Sequence, residues 1–188
     1  VMNLDVKFFL KKENLQITGA FKIRGAYNKI ATLNDEQKNS GVVAASAGNH
    51  AQGVALSASK FNMKAVIIMP ESTPLTKVNG VKHFGAEVIL HGKNYDEAYG
   101  FALEYGEKNS LTFVHPFEDE EVIAGQGTVA LDILDKCENL DAVIIPVGGG
   151  GLISGMATAF KAINPNIEII GVSATGAPAL KNSYELGR

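Results

Sequence analysis

The chain has 188 residues, 46% hydrophobic and 20% charged, with a formal net charge of -3. That composition is long and apolar enough for a sizeable core, and its weak negative charge argues against nucleic acid or an acidic membrane surface as a partner. The one cysteine, Cys137, excludes an internal disulfide and points to a reducing compartment, and no apolar run reaches the ~18 residues of a membrane helix.

The first five residues, Val1 to Asp5, do not begin with Met and lack a signal-peptide layout. They read as a chain whose beginning is missing. Val6–Leu10 predicts a first strand. A small-residue loop follows, Thr18-Gly19-Ala20-Phe21-Lys22, and then helical spacing at Ile23, Tyr27 and Ile30. Val42–Ala45 predicts a strand, Ser46 to Gly48 a loop, and Ala51, Val54, Ala55 and Ala58 one face of a helix. Ala65–Met69 is the next strand, with Pro70 and Pro74 punctuating its exit and Pro74 suited to a first helical turn. Strands are further predicted at Glu87–Leu90 and Leu111–Val114, the latter closed by Pro116. The acidic run Glu118-Asp119-Glu120-Glu121 marks a helix start, where carboxylates favour the dipole. Ala142–Val147 and Ile167–Val172 are the last strands, separated by a helix with Leu152, Met156, Phe160 and Ile163 on one face.

Alternating strands and helices predict α/β architecture with a mostly parallel sheet. Unalternating runs such as Val143-Ile144-Ile145-Pro146-Val147 suit strands covered on both faces. In such sheets ligands bind beyond the carboxyl ends of strands, so the strand-to-helix loops are where a site is sought.

Three loops stand out. Gly148-Gly149-Gly150-Gly151 precedes a helix starting near Leu152. Four glycines let a backbone approach an anion closely, with several N–H groups turned into one concavity. A dinucleotide motif would need a small residue at 153, which is Ile. A P-loop would need Lys at 156, which is Met. Neither motif is present; a phosphate held by backbone amides and a plain tight turn are the two readings that remain. In Ser46-Ala47-Gly48-Asn49-His50, either Ser46 or Asn49 caps the helix, or the loop holds a carboxylate. Lys22 opens a helix; either it is a solvated surface lysine, or the macrodipole and burial lower its pKa and make the amine nucleophilic. Of the other residues, His83 and His91 read as surface and turn residues. His115 and Gln126 read as structural, Cys137 as half-buried, and Arg24 as one half of an ion pair with no assigned partner.

Taken in order, Thr18-Gly-Ala-Phe-Lys-Ile-Arg-Gly-Ala26, Ser46-Ala-Gly-Asn-His-Ala-Gln-Gly53 and Gly148-Gly-Gly-Gly-Leu152 resemble the fold-type II pyridoxal-phosphate enzymes. Threonine/serine dehydratases and serine racemase are the nearest members. Lys12 to Gln16, Gly85 to Val88, His115-Pro116-Phe117 and Ala124 to Thr128 match as well. Ile23 separates this chain from cysteine and threonine synthases, which resemble a Lys-Asp-Arg form.

The resemblance implies two three-layer α/β/α open-sheet domains. Residues 1–40 and 120–188 would belong to the larger cofactor domain and 41–119 to a smaller one. It implies pyridoxal 5'-phosphate as cofactor. Lys22 would carry it as an imine, with Phe21 packed on its ring, Asn49 bonded to its 3-hydroxyl, and Gly148, Gly149, Gly150, Gly151 and Leu152 around its phosphate. Ser46, Asn49 and His50 would grip the substrate carboxylate, and Ser46 would be the opposite-face acid/base of a racemase. The activity implied is threonine or serine dehydration within amino-acid metabolism, isoleucine biosynthesis included. Serine racemization and an inactive fragment are the alternatives. A cytoplasmic homodimer or homotetramer follows from the same resemblance, with a small amino acid as substrate and no nucleic acid or membrane partner. Two departures are expected: the chain ends before the segment that would face the pyridine nitrogen, and Ser173 stands where some relatives place an acidic residue near a cation.

Overall fold

The structure, a computed structural model, describes residues 6–187. Its first sheet has four parallel strands in the order β3-β2-β1-β4: β1 (Val42–Ala45), β2 (Ala65–Met69), β3 (Glu87–Leu90) and β4 (Thr112–Phe113). Val42 pairs with Ala65 on one side and with Thr112 on the other. β1 and β2 are buried along their whole length, as apolar runs without alternation require.

Helices cover both faces of this sheet. Val42 and Ala44 of β1, with Ala65, Ile67 and Met69 of β2, face α1 (Lys22–Thr32), α3 (Asn49–Lys60) and α4 (Leu75–Lys82). Val43, Ala45, Val66 and Ile68 face Ala98 and Ala102 of α5 (Tyr95–Lys108). Each Val or Ile so enclosed contributes about 1.5–3 kcal/mol of apolar burial. The short α2 (Asp35–Ser40) carries a capping box, Asn34 with Gln37, that closes its first turn.

A second, two-stranded parallel sheet pairs β5 (Ala142–Pro146) with β6 (Glu168–Val172). Ile145, Ile167, Met156 and Phe160 form its core with Val129 and Ala130 of α6 (Glu120–Leu134), α7 (Gly151–Ile163) lying across the strands. Here the expectation of two covered faces is corrected: Ile144, Ile170 and Val172 are exposed, because among the described residues helices pack on one face only. The α6–α7 crossing is very close, since a Cβ on Gly155 would lie 2.7 Å from the Gly127 nitrogen and one on Gly127 would lie 2.9 Å from the Gly155 carbonyl oxygen. The last helix is α8 (Ala179–Leu186).

Three further expectations change. Val6–Leu10 is not a strand; it pairs with no described strand, and Val6, Phe8, Phe9 and Leu10 are exposed. The inward face of α1 is Gly25, Ala26 and Ile30, with Tyr27 outside, and the inward face of α7 ends at Phe160, with Ile163 outside. In both helices a glycine brings a neighbouring backbone close, and the buried stripe then runs through that glycine, to Ile30 in α1 and to Met156 and Phe160 in α7.

Candidate active site

Because the strands of each sheet run parallel, the loops leaving β1, β4 and β5 emerge at carboxyl ends, the edge where α/β sheets hold ligands. Each runs into a helix: β1 into α3, β4 into α6, β5 into α7.

Lys22 is the first residue of α1. A Cβ on Gly53 of α3 would lie 3.2 Å from the Lys22 carbonyl oxygen, so the glycine lets α1 settle onto α3. The Nζ of Lys22 donates to the carbonyl oxygen of Pro116 at 2.6 Å and lies 5.5 Å from the centre of the Phe21 ring. Burial holds this amine below the ordinary lysine range. Phe21 itself packs against the core beneath α7.

Pro116 leads to the glycine loop. The next residue, Phe117, lies on it so closely that a Cβ on Gly149 would sit 2.6 Å from the ring, and one on Gly151 3.1 Å from the Phe117 Cα. The half-buried amine and the glycine run therefore meet across a single peptide unit, Pro116–Phe117. Gly150 has φ +90°, the left-handed conformation that glycine adopts freely, and it serves as the N-cap of α7 with no side-chain cap. Leu152 is half-buried against the core cluster below.

The Ser46 to His50 loop departs from the expected capping. α3 begins at Asn49 after Gly48, and no side chain caps it. The Ser46 hydroxyl accepts the Gly48 N–H at 3.2 Å instead, because Ser46 stands two residues before the cap. Asn49 is exposed at the start of the helix. His50, expected among the side chains facing a substrate carboxylate, is 3% exposed, with Nε2 2.9 Å from the Val114 carbonyl oxygen. Burial depresses its pKa to about 4, opposed by that backbone bond and aided by Lys22 and His115. The ring is therefore neutral, with Nε2–H donating, and its Nδ1 is buried without a protein partner.

α1, α3 and α7 thus present uncapped N-termini around the same place; α4 and α8 also lack a side-chain cap, and α5 and α6 are closed by Asn94 and Asp119. Asp119 accepts the Glu121 and Val122 N–H groups, the capping role read for the acidic run, and pairs with Lys29 at 2.7 Å.

Arg24 finds the partners that the sequence left open. Its guanidinium donates to both oxygens of Glu13, at 2.8 and 2.9 Å, to Asp132 at 2.6 Å and to the Thr128 hydroxyl at 3.0 Å. Lys11 joins through Asp132 at 2.9 Å and Glu13 at 3.1 Å. This network fixes α1 against α6 two residues beyond Lys22. Gln126 packs between the same helices, its Oε1 accepting the Gly25 N–H.

Pro116 and Phe117 were not singled out as site residues by their own chemistry. Their role comes from a carbonyl and a ring face brought from 94 positions away in sequence, measured from Lys22 to Pro116, and no local pattern announces that. A pyridoxal phosphate fits what is present: a half-buried amine of lowered pKa, uncapped helix N-termini with a glycine loop for a phosphate, and an orphaned buried nitrogen on His50.

The family described as pyridoxal-phosphate dependent enzyme matches residues 2–188. The chain is similar to L-threonine ammonia-lyase of Thermotoga maritima, 53% identical over 182 residues, covering 97% of the chain and 45% of that protein. Among solved structures it is similar to the processed form of threonine deaminase isoform 2 from Solanum lycopersicum, with TM-score 0.92, 48% identity, and 95% and 49% of the two chains covered. It is also similar to maize serine racemase, with TM-score 0.91, 41% identity, and 95% and 54% covered. The chain spans about half the length of these relatives.

Proposed function

The chain belongs to the pyridoxal-phosphate dependent enzyme family, and on that footing we propose that it carries the reactive lysine of an L-threonine or L-serine dehydratase, converting L-threonine to 2-oxobutanoate and ammonia. The observation that carries this reading is the half-buried amine of Lys22, anchored on Pro116 beside a ring that lies on the glycine loop.

When bound, the cofactor supplies an electron sink that makes the substrate's α-proton acidic. Lys22, of lowered pKa, would hold the cofactor covalently and then, freed, take that proton at Nζ. Gly148, Gly149, Gly150, Gly151 and Leu152 would receive the phosphate through backbone N–H groups at the start of α7. Phe21 would pack near the ring and Asn49 would bond its hydroxyl. Ser46, Asn49 and the amides opening α3 would orient the substrate carboxylate, with His50 supporting that loop from beneath through Val114.

The dehydratase reading is preferred to serine racemase because the similarity to the threonine ammonia-lyase, at 53%, exceeds that to the maize racemase, at 41%. Residues 41–119, which hold the four-stranded sheet, are proposed as the smaller domain, with 1–40 and 120–188 in the larger; residues 1–5 and 188 lie outside the described residues. A cytoplasmic homo-oligomer is proposed from the family alone.

The test adds pyridoxal phosphate to the purified chain and to its Lys22→Ala variant. A visible absorbance band in the parent alone, with 2-oxobutanoate formed from L-threonine, supports the reading. D-serine from L-serine without 2-oxobutanoate supports a racemase. No band and no product supports a non-catalytic piece, and a band that survives in Lys22→Ala rejects Lys22.

A further inference from the structure

The turn from His115 to Glu118 touches both halves of the site, and one side chain holds its shape. His115 Nδ1 accepts the N–H groups of Phe117 at 3.2 Å and Glu118 at 2.7 Å. Its Nε2 faces the Glu118 carboxylate at 3.8 Å. The ring is boxed edge-on by Phe117, with centroids 4.7 Å apart, and by Tyr99 at 6.0 Å and Phe113 at 6.1 Å. The turn so held aims the Pro116 carbonyl at the Lys22 amine and lays Phe117 on Gly149 and Gly151.

We propose that His115 is a positioning residue that fixes the 116–118 turn and thereby sets both the resting place of the Lys22 amine and the spacing of that amine from the glycine loop. The proposal rests on the assignment of Lys22 as the cofactor lysine. Only the neutral ring can do this, because an imidazolium has no acceptor at Nδ1. Burial favours the neutral form and Lys22 adds to that, while Glu118 and Asp119 oppose it. His50 and Tyr99 are the other titratable groups around it. The free amine needs such a resting place, since a buried ammonium or amine without an acceptor is costly. The carbonyl of Pro116 is held there by a side chain rather than by a strand ladder.

The substitutions divide by geometry. Asparagine carries an oxygen close to the Nδ1 position, so His115→Asn keeps an acceptor for the two N–H groups. His115→Ala removes it, and His115→Gln fills the space but carries its oxygen at the Nε2 position. With the turn released, water reaches Lys22, and its pKa rises toward the ordinary lysine value.

The experiment uses the whole chain with pyridoxal phosphate as the probe, reading the absorbance band, the dissociation constant, and the pH midpoint of the rate of band formation. In His115→Ala the dissociation constant is expected to rise about 10-fold, as misplacement of a reacting group produces, and the pH midpoint to rise by about one unit. His115→Asn is expected to stay within about threefold of the parent, with the parent's midpoint. His115→Gln is held to the His115→Ala result and replaces it if that variant does not fold. A parent-like midpoint in the variant lacking the acceptor overturns the proposal, even where thermal stability falls, since that combination describes a merely structural histidine. A band that persists in Lys22→Ala sinks the cofactor-lysine reading instead, so the two failures are distinguishable.

Discussion

The Nε2 of His50 lies 2.9 Å from the carbonyl oxygen of Val114, and this bond ties the first turn of α3 to the residue that follows β4. It joins the loop after one strand to the loop after its neighbour, so the Ser46 to His50 segment is tied to the segment that leads to Pro116, where the Lys22 amine is anchored.

His50 makes stability pH-dependent. Its folded pKa, about 4, lies below the ordinary histidine value of 6.5, so between those values the unfolded chain binds a proton that the folded chain refuses. Stability is full above pH 6.5 and falls as pH drops toward 4, by roughly 3 kcal/mol in all. Urea unfolding from about pH 7.5 to about 4.5 should show this slope. In His50→Gln, whose amide can still donate to Val114, the slope should be shallower; an equal slope would show that other groups cause it.

The Arg24 network adds a second acid-sensitive element. For Glu13, burial works against the charged form, but Arg24 and Lys11 outweigh it and lower the pKa. For Asp132, the Lys11 and Arg24 hydrogen bonds lower it, with burial opposing. Both folded values lie below the unfolded ones, so this stability is present above the ordinary carboxylate range and is lost as pH falls through it. Asp132 is 40% exposed at its side chain, and solvent screening makes its share small. Arg24→Ala should cost about 1–3 kcal/mol by denaturant unfolding at neutral pH. Arg24→Lys, which keeps charge but not the fork, should recover less than half of that.

Gly149→Ala places a methyl carbon 2.6 Å from the Phe117 ring. One of them must shift, at a cost of about 1–3 kcal/mol. Phe117→Ala should relieve that cost, so the double variant should be more stable than the two single losses summed; additivity in the unfolding free energies would show that the two do not touch.

Gly155→Ala meets backbone rather than side chain: the carbonyl oxygen of Ile123 most closely, and the nitrogen of Gly127 at 2.7 Å. Neither helix can yield without separating α6 from α7. A loss of about 3 kcal/mol or failure to fold is expected, against about 1 kcal/mol or less for Thr158→Ala on the exposed side of α7. Comparable melting temperatures for the two would contradict the crossing.

Much of the fold was legible because its signals are local. The apolar runs at 42–45, 65–69 and 87–90 fall on strands; the first two are fully buried and need no alternation, and the third is the half-exposed edge strand. The glycine run, Lys22 at a helix start and the cap at Asp119 were readable for the same reason: each is written in a few consecutive residues. Val6–Leu10 shows the limit, because a β-rich run becomes a strand only where a neighbour takes its hydrogen bonds.

Sequence order alone thus determined that the sheet is mostly parallel, that the runs at 42–45 and 65–69 are buried strands, and which amine stands at a helix start. The partners of Arg24, the inward turn of His50, the uncovered face of β5 and β6, and the meeting of Lys22 with Pro116 were decided only when the helices packed. Those contacts join residues up to 121 positions apart, as Lys11 and Asp132 are. Glycines at the crossings set how closely the helices approach, and that spacing selects which distant carbonyl or carboxylate each side chain can reach.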